Sequence, residues 1–182
     1  VGPFAPRGIV LVDGGIGEMS RAPGLETWEK AEQQLRPPPL AGTPREAFME
    51  MLKQFAGDLY TDEIGEIVLG NFAVREDDTI VPHLPLDKHM RIARALYEEK
   101  KDELYPRVRC PALLLPAYPP AAGGEDYVRA LIAAREPALA RAASLLPRAT
   151  VIPFPDTVHD VPLHRPAQLA QVIADWQVER ET

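Results

Sequence analysis

The chain has 182 residues, 46% of them hydrophobic, and a formal net charge of −7. This is enough apolar content for one core, or a core with a small lobe. The acidic balance disfavours nucleic acid and anionic membranes as partners, and no apolar run approaches the roughly 18 residues of a membrane span. Cys110 is the only cysteine, and no Cys/His cluster has metal-ligand spacing. We therefore expect a cytoplasmic protein without a metal or cofactor.

The first predicted element is a short buried strand over Ile9–Val12, which ends abruptly at Asp13. Its continuous apolar run is typical of a parallel strand covered on both faces. About 90 residues of helical patterns and Pro- and Gly-rich loops follow, with no clear strand among them. A single βαβ crossover needs far fewer residues. We therefore predict a helical lid, or cap, inserted over residues 14–105.

Two further apolar runs, Ala112–Leu115 and Thr150–Phe154, predict two more buried parallel strands. The segment between them is helical in pattern, with a break predicted at Pro137. A final helix follows the third strand. These elements predict an α/β fold: a parallel sheet with flanking helices, formed by residues 1–13 and 106–182, carrying the cap.

One strand end offers an acid and another is followed by a base. Asp13 follows the first strand directly, and His159 lies in the loop after the third strand. A histidine in a loop beyond a buried strand is where α/β folds place a general base. Asp156 and Asp160 flank this histidine too closely to align with its ring, so we interpret them as residues that shape the loop.

The order of these segments resembles the C-terminal part of the α/β-hydrolase fold superfamily. Residues 8–14, Gly-Ile-Val-Leu-Val-Asp-Gly, resemble its sixth strand, which leads into the cap. Residues 109–115, Arg-Cys-Pro-Ala-Leu-Leu-Leu, resemble its seventh strand. Residues 150–154 and the His159-Asp160-Val161-Pro162-Leu163 tail resemble its eighth strand and catalytic histidine loop. Residues 69–97 are similar to the helical caps of bacterial members, so the resemblance covers nearly the whole chain.

The resemblance implies that His159 is the general base of a nucleophile–histidine–acid triad. Most relatives carry the acid just past the seventh strand, where residues 118–122 of this chain contain no carboxylate. Glu125 and Asp126 come slightly later. Asp13 is the rival, because some haloalkane dehalogenases of this fold place the acid after the sixth strand. The sequence leaves these three carboxylates open.

The nucleophile that this resemblance requires is missing from the sequence. The family carries it on a sharp turn, Gly-x-Ser-x-Gly or a variant with Asp or Cys. Ser20 and Ser144 are the only serines, and neither is flanked by glycines in this way. Cys110 precedes a strand and so lies at the wrong end for chemistry. We therefore expect the chain to be the C-terminal part of a larger enzyme whose N-terminal remainder supplies the nucleophile.

These observations predict an esterase-like hydrolase that acts on a small apolar substrate. Its expected partners are that small molecule and the N-terminal remainder of the same enzyme, and a homodimer is possible. The alternative is a truncated, non-catalytic relative of such enzymes, which would act as an interaction or oligomerisation module through an exposed sheet edge or through the cap.

Overall fold

The computed structural model describes residues 6–119 and 125–178, and the side chains of the second range from residue 132 onward. In chain order the elements are β1 (Ile9–Val12), α1 (Trp28–Leu35), α2 (Arg45–Ala56), α3 (Asp62–Leu69), β2 (Phe72–Val74), β3 (Ile80–Pro82), α4 (Leu86–Glu98), α5 (Lys101–Leu104), β4 (Ala112–Leu115), α6 (Glu125–Leu145), β5 (Ala149–Val151), α7 (Val161–His164) and α8 (Pro166–Val178). The chain divides into two compact units. We call residues 1–26 and 97–182 the sheet unit and residues 27–96 the helical unit.

The sheet unit contains a parallel sheet of strand order β1-β4-β5. The predicted α/β architecture is confirmed. β4 lies in the middle, and Leu113, Leu114 and Leu115 are completely buried. Because side chains alternate across a strand, Leu114 packs toward α6, while Leu113 and Leu115 pack in the cluster that holds Trp176 of α8. One helix therefore covers each face, and the carboxyl ends of the strands share one edge.

The third strand differs from its prediction. β5 covers only Ala149–Val151, and Thr150 and Val151 are exposed. The chain returns to the sheet at Phe154, which forms an isolated bridge with Ala117. The prediction that this strand is buried on both faces was wrong, because β5 is an edge strand and only the central strand is fully enclosed.

The predicted helix break at Pro137 is also wrong. Helix α6 continues from Glu125 to Leu145 through this proline. A proline has no N–H, so the helix gives up one backbone hydrogen bond there. Burial of Leu139 and Ala142 against the sheet, just beyond the proline, offsets that loss.

The helical unit contains a β-hairpin that the sequence analysis did not predict. Strands β2 and β3 pair antiparallel, with Phe72 opposite Pro82. Asp78 turns the chain at φ +57°, and the side chain of Asp77 accepts the Thr79 hydroxyl at 2.7 Å. Three-residue strands are too short to produce a readable alternation. Phe48, Leu69 and Ile80 form the core of this unit.

The compact helical unit, residues 27–96, is smaller than the predicted cap over 14–105. The flanking segments belong to the sheet unit, where partly buried polar contacts join them to each other. Gly17 donates its N–H to the Tyr105 hydroxyl at 2.9 Å, and that hydroxyl donates to the Gly15 carbonyl at 2.7 Å. That the helical unit serves as a lid stays a prediction. Within residues 6–119 and 125–178, no helix combines the length and apolar character needed to cross a membrane.

Candidate active site

Asp13 stands at the carboxyl end of β1 in a conformation that aims its side chain along the end of the sheet. Its backbone adopts a left-handed φ of +44°, which aspartate tolerates better than most residues. Its N–H donates to the Leu115 carbonyl at 2.9 Å, which extends the pairing of β1 with β4 by one step. Only 2% of the side chain is exposed. A buried carboxylate of this kind needs compensating donors.

His159 lies in a loop that is tied to the end of β4 and to helix α7. The N–H of Thr157 donates to the Tyr118 carbonyl at 2.9 Å, and the N–H of Val158 donates to Nδ1 of His164 at 3.3 Å. The carbonyl of His159 itself accepts the N–H of Val161 at 2.9 Å. The backbone is therefore held on both sides of the histidine, while 76% of its side chain is exposed.

The structure brings Asp13 and His159 into direct contact. Nδ1 of His159 lies 2.6 Å from Oδ2 of Asp13. A carboxylate acceptor at this position holds the proton on Nδ1 and leaves Nε2 as the basic nitrogen. This Nε2 has no hydrogen-bond partner among the residues that the structure describes. The pair can therefore accept a proton from a group that approaches Nε2.

The second oxygen of the Asp13 carboxylate is held by two other donors. Oδ1 accepts the backbone N–H of Ala117 at 2.8 Å and a guanidinium N–H of Arg135. The other terminal nitrogen of Arg135 donates to the Ala117 carbonyl at 2.8 Å. Neither donor was recognised in the sequence analysis. A backbone N–H leaves no sequence signal, and one arginine in a helix that carries several does not show which face it occupies.

A second polar pair extends from the end of β4 to α6. The Tyr118 hydroxyl donates to Oε1 of Glu136 at 2.7 Å. Burial raises the pKa of Tyr118 to about 12, with the hydrogen bond to Glu136 and the charge of that carboxylate as further causes. Tyr118 therefore stays protonated at neutral pH and acts as a donor.

A cavity of about 720 Å³ lies within the sheet unit, next to the acid. Apolar side chains such as Ile16, Met19 and Ala138 form part of its wall, and Asp13 and Arg135 also line it. His159 is not a wall residue, so the cavity lies on the side of the acid rather than that of the histidine.

The remaining predicted site residues do not join this pair in the described part of the chain. Asp126 and Glu125 begin α6, but their side chains lie outside the described residues. Cys110 precedes β4, at the opposite end of the strand from Ala117. Ser144 lies in α6 and donates its hydroxyl to the Arg141 carbonyl at 2.8 Å, and Ser20 lies in a 3₁₀ turn of residues 19–21.

Comparison with solved structures agrees with the architecture described above. The crystal structure of E-2-(acetamidomethylene)succinate hydrolase superposes with a TM-score of 0.68 at 17% identity, covering 96% of this chain and 58% of that one. The strand order, the flanking helices and this superposition decide the fold. This chain has an α/β-hydrolase fold. It spans only 58% of the hydrolase's length, so only part of that protein's structure has a counterpart here.

Other structures with the α/β-hydrolase fold are similar at lower scores. A meta-cleavage product hydrolase gives a TM-score of 0.48 at 18% identity, over 93% of this chain and 55% of that one. An esterase from Thermogutta terrifontis gives 0.47 at 16% identity, over 97% and 57%. No model of a known protein family matches the chain, and no curated protein matches it either.

Proposed function

We propose that these 182 residues supply the base and the acid of an acyl hydrolase, with His159 as general base and Asp13 as the acid that orients it. The observation that carries this proposal is the 2.6 Å contact between Nδ1 of His159 and Oδ2 of a carboxylate that is 2% exposed. A buried acid, an exposed imidazole and an unoccupied Nε2 are what proton transfer to and from a substrate requires.

In the proposed reaction, Nε2 of His159 takes the proton of the attacking group and later returns it to the leaving group. Asp13 stabilises the imidazolium that forms between these two steps. The attacking group comes from a segment outside these 182 residues, because the sequence contains no glycine-flanked serine. The substrate class is a small, mainly apolar ester. The role of the cap is assigned to the helical unit as part of this proposal.

The test uses the intact protein that contains these residues, with p-nitrophenyl acetate and butyrate as substrates. His159→Ala is expected to lower turnover about a thousandfold, the usual scale for a triad member. His83→Ala is the matched control, since His83 is also an exposed histidine but lies in the helical unit. If the turnover of His159→Ala lies within a factor of two of that of His83→Ala, the assignment is refuted.

A fluorophosphonate probe tests the source of the nucleophile in the same protein. We expect one labelled residue, outside these 182 residues, with labelling slowed in His159→Ala because the base no longer activates it. A protein that neither hydrolyses esters nor reacts with the probe is not an acyl hydrolase.

One observation favours the alternative of a non-catalytic interaction module. In the described part of the chain, β1 pairs with β4 alone, so its other edge carries no strand. An unpaired edge can recruit another strand. This second function would be supported if the protein hydrolyses no ester and forms a stable oligomer. Replacing Val10 by proline at that edge should then abolish the oligomer.

A further inference from the structure

Arg135 makes one hydrogen bond to the acid of the pair and a second to the residue that also holds this acid. Its guanidinium donates to Oδ1 of Asp13 and, through its other terminal nitrogen, to the Ala117 carbonyl at 2.8 Å. Ala117 in turn donates its N–H to the same Oδ1. Asp13, Ala117 and Arg135 therefore form a closed ring of hydrogen bonds at the end of β4.

This ring decides which carboxylate oxygen faces the histidine. With only the N–H bond from Ala117 to Oδ1, the contact with His159 would be the one other restraint on rotation of the Asp13 carboxylate about its Cβ–Cγ bond. A second donor from another direction fixes the plane of the carboxylate, so that Oδ2 is left for Nδ1 of His159. The two-pronged guanidinium is suited to this role because its donors have a fixed relative geometry.

Burial gives a second reason why Asp13 depends on this arginine. The carboxylate is 2% exposed, whereas Arg135 is 31% exposed and remains partly hydrated. A buried carboxylate that loses its cation is strongly driven to turn toward water. Turning away would break the contact with His159, because the same group makes both interactions.

We propose that Arg135 is a positioning residue: it holds Oδ1 of Asp13 so that Oδ2 keeps His159 in the form that carries its proton on Nδ1. The kinetic consequence rests on the proposed function, whereas the consequence for the histidine tautomer does not. Among the described residues Arg135 makes no hydrogen bond to His159, so it acts through Asp13.

The experiment measures the neutral tautomer of His159 by ¹⁵N NMR in the intact protein with ¹⁵N-labelled histidine, at a pH where the ring is uncharged. His159→Gln identifies its signals. Wild type is expected to show the Nδ1–H form, and Asp13→Asn a shift toward the Nε2–H form. Arg135→Ala is expected to shift the tautomer in the same direction. Arg135→Lys keeps the charge but cannot make both hydrogen bonds with the same geometry, so we expect it to show the wild-type form in part.

Arg141→Ala is the matched control, because Arg141 lies on the same helix and binds a carboxylate of its own, Asp102. It should leave the tautomer unchanged. If Arg135→Ala does not fold, Arg135→Lys alone decides, since it must still show more of the Nε2–H form than wild type. If the Arg135 variants show the same His159 tautomer as wild type, as Arg141→Ala should, the assignment is overturned.

Kinetics and chemical rescue complete the test. In Arg135→Ala we expect turnover to fall about 10- to 100-fold with KM nearly unchanged, because binding is untouched. Millimolar guanidinium chloride should restore part of that turnover, since the lost side chain lines the 720 Å³ cavity and leaves room there. If guanidinium raises the turnover of Arg135→Ala no more than it raises that of Arg141→Ala, the positioning role is contradicted. If the tautomer shifts but His159→Ala keeps full turnover, the proposed function fails and the positioning role stands.

Discussion

Oδ1 of Asp13 accepts the backbone N–H of Ala117 at 2.8 Å, although 104 positions separate the two residues. The register of the parallel strands makes this contact, because Val12 pairs with Leu115 and the two strands end side by side. Asp13 is thus anchored to the backbone just beyond the central strand, at the residue that forms the isolated bridge with Phe154. This anchor keeps the other oxygen of the same carboxylate, Oδ2, in contact with Nδ1 of His159.

We expect Asp13→Asn to lower turnover of the intact protein about 10³- to 10⁴-fold, because an amide no longer stabilises the imidazolium or fixes the tautomer. Asp126→Asn, the same chemical change at the rival position, is expected to leave turnover within a factor of a few. Ester hydrolysis by the two variants under one assay checks this. A larger loss in Asp126→Asn would transfer the role of the acid to that residue.

His164 holds the loop next to His159, which makes that loop sensitive to acid. Its Nδ1 accepts the N–H of Val158, and only a neutral ring with its proton on Nε2 can do so. Burial, with a smaller contribution from the charge of Arg165, lowers the pKa of His164 below its ordinary value. The unfolded chain therefore binds this proton more readily than the folded one.

The stability that the neutral His164 contributes is present above its unfolded pKa, near 6.5, and is lost as the pH falls through the lower folded value. His164→Asn keeps an acceptor near the position of Nδ1 but does not titrate. We expect the free energy of unfolding of wild type, relative to this variant, to be smaller at pH 5 than at pH 7.5. Urea unfolding at the two pH values measures it, and a difference that does not depend on pH contradicts the prediction.

The sequence predicted the bounds of β1 and β4 without error because their signal is local. A continuous apolar run is typical of a strand that neighbours cover, and β4 is completely buried, whereas β1 is half-buried. β5 was predicted too long, since apolar residues continue past Val151 into a loop that packs Phe154 inward. Apolar content reports burial, and a buried loop residue gives the same signal as a strand residue.

The sequence predicted which residues are candidates for the site, but it did not predict which of them lie in contact. Strand ends pointed to Asp13 and His159, yet the choice among three carboxylates depends on strand register and on the path of the histidine loop. That path is set by backbone bonds such as Thr157 N–H to the Tyr118 carbonyl. Backbone contacts of this kind are independent of side-chain identity, so no residue pattern announces them.

Asp102 joins three segments of the sheet unit, which gives a prediction for stability in acid. Its carboxylate accepts hydrogen bonds from Arg141 in α6 and from Arg21, the latter at 2.7 Å. The hydrogen bond from Arg141, with the charges of both arginines, lowers the pKa of Asp102. This contribution to stability is present above the unfolded pKa, near 3.8, and is lost as the pH falls through the lower folded value.

Asp102→Asn is therefore expected to lower the free energy of unfolding by about 1 kcal/mol at pH 7, the scale of partly exposed ion pairs. The effect should shrink as the pH falls below 3.8 and through the lower folded pKa, because the wild-type carboxylate then gains a proton as well. Asp87→Asn is the control, because its closest cation, Lys88, lies 3.8 Å away and both side chains are mainly exposed. Equal losses in the two variants at pH 7 would show that the network around Asp102 adds nothing.

Gly17 packs so closely against α6 that a methyl group there should disturb the helix that carries Arg135. Its φ is +72°, and an added Cβ would lie 2.8 Å from Cβ of Ala138. Gly15 has a nearly equal φ of +69°, but its added Cβ would meet only the tip of the Leu11 side chain at 3.3 Å. Alanine at either position therefore adds the same left-handed backbone strain, and the two variants differ in what the methyl group meets.

We expect Gly17→Ala to lower the free energy of unfolding by about 1–3 kcal/mol more than Gly15→Ala does, because a helix is harder to displace than the end of a leucine side chain. Urea unfolding of both variants under one set of conditions gives the difference. Ala138 lies three residues after Arg135 in α6, so a shift of the helix also moves the guanidinium away from Asp13. Gly17→Ala should therefore raise the share of the Nε2–H form of His159, whereas Gly15→Ala should not. If the two variants lose the same free energy of unfolding and show the same share of the Nε2–H form, α6 accommodates the methyl group at Ala138 without loss of stability.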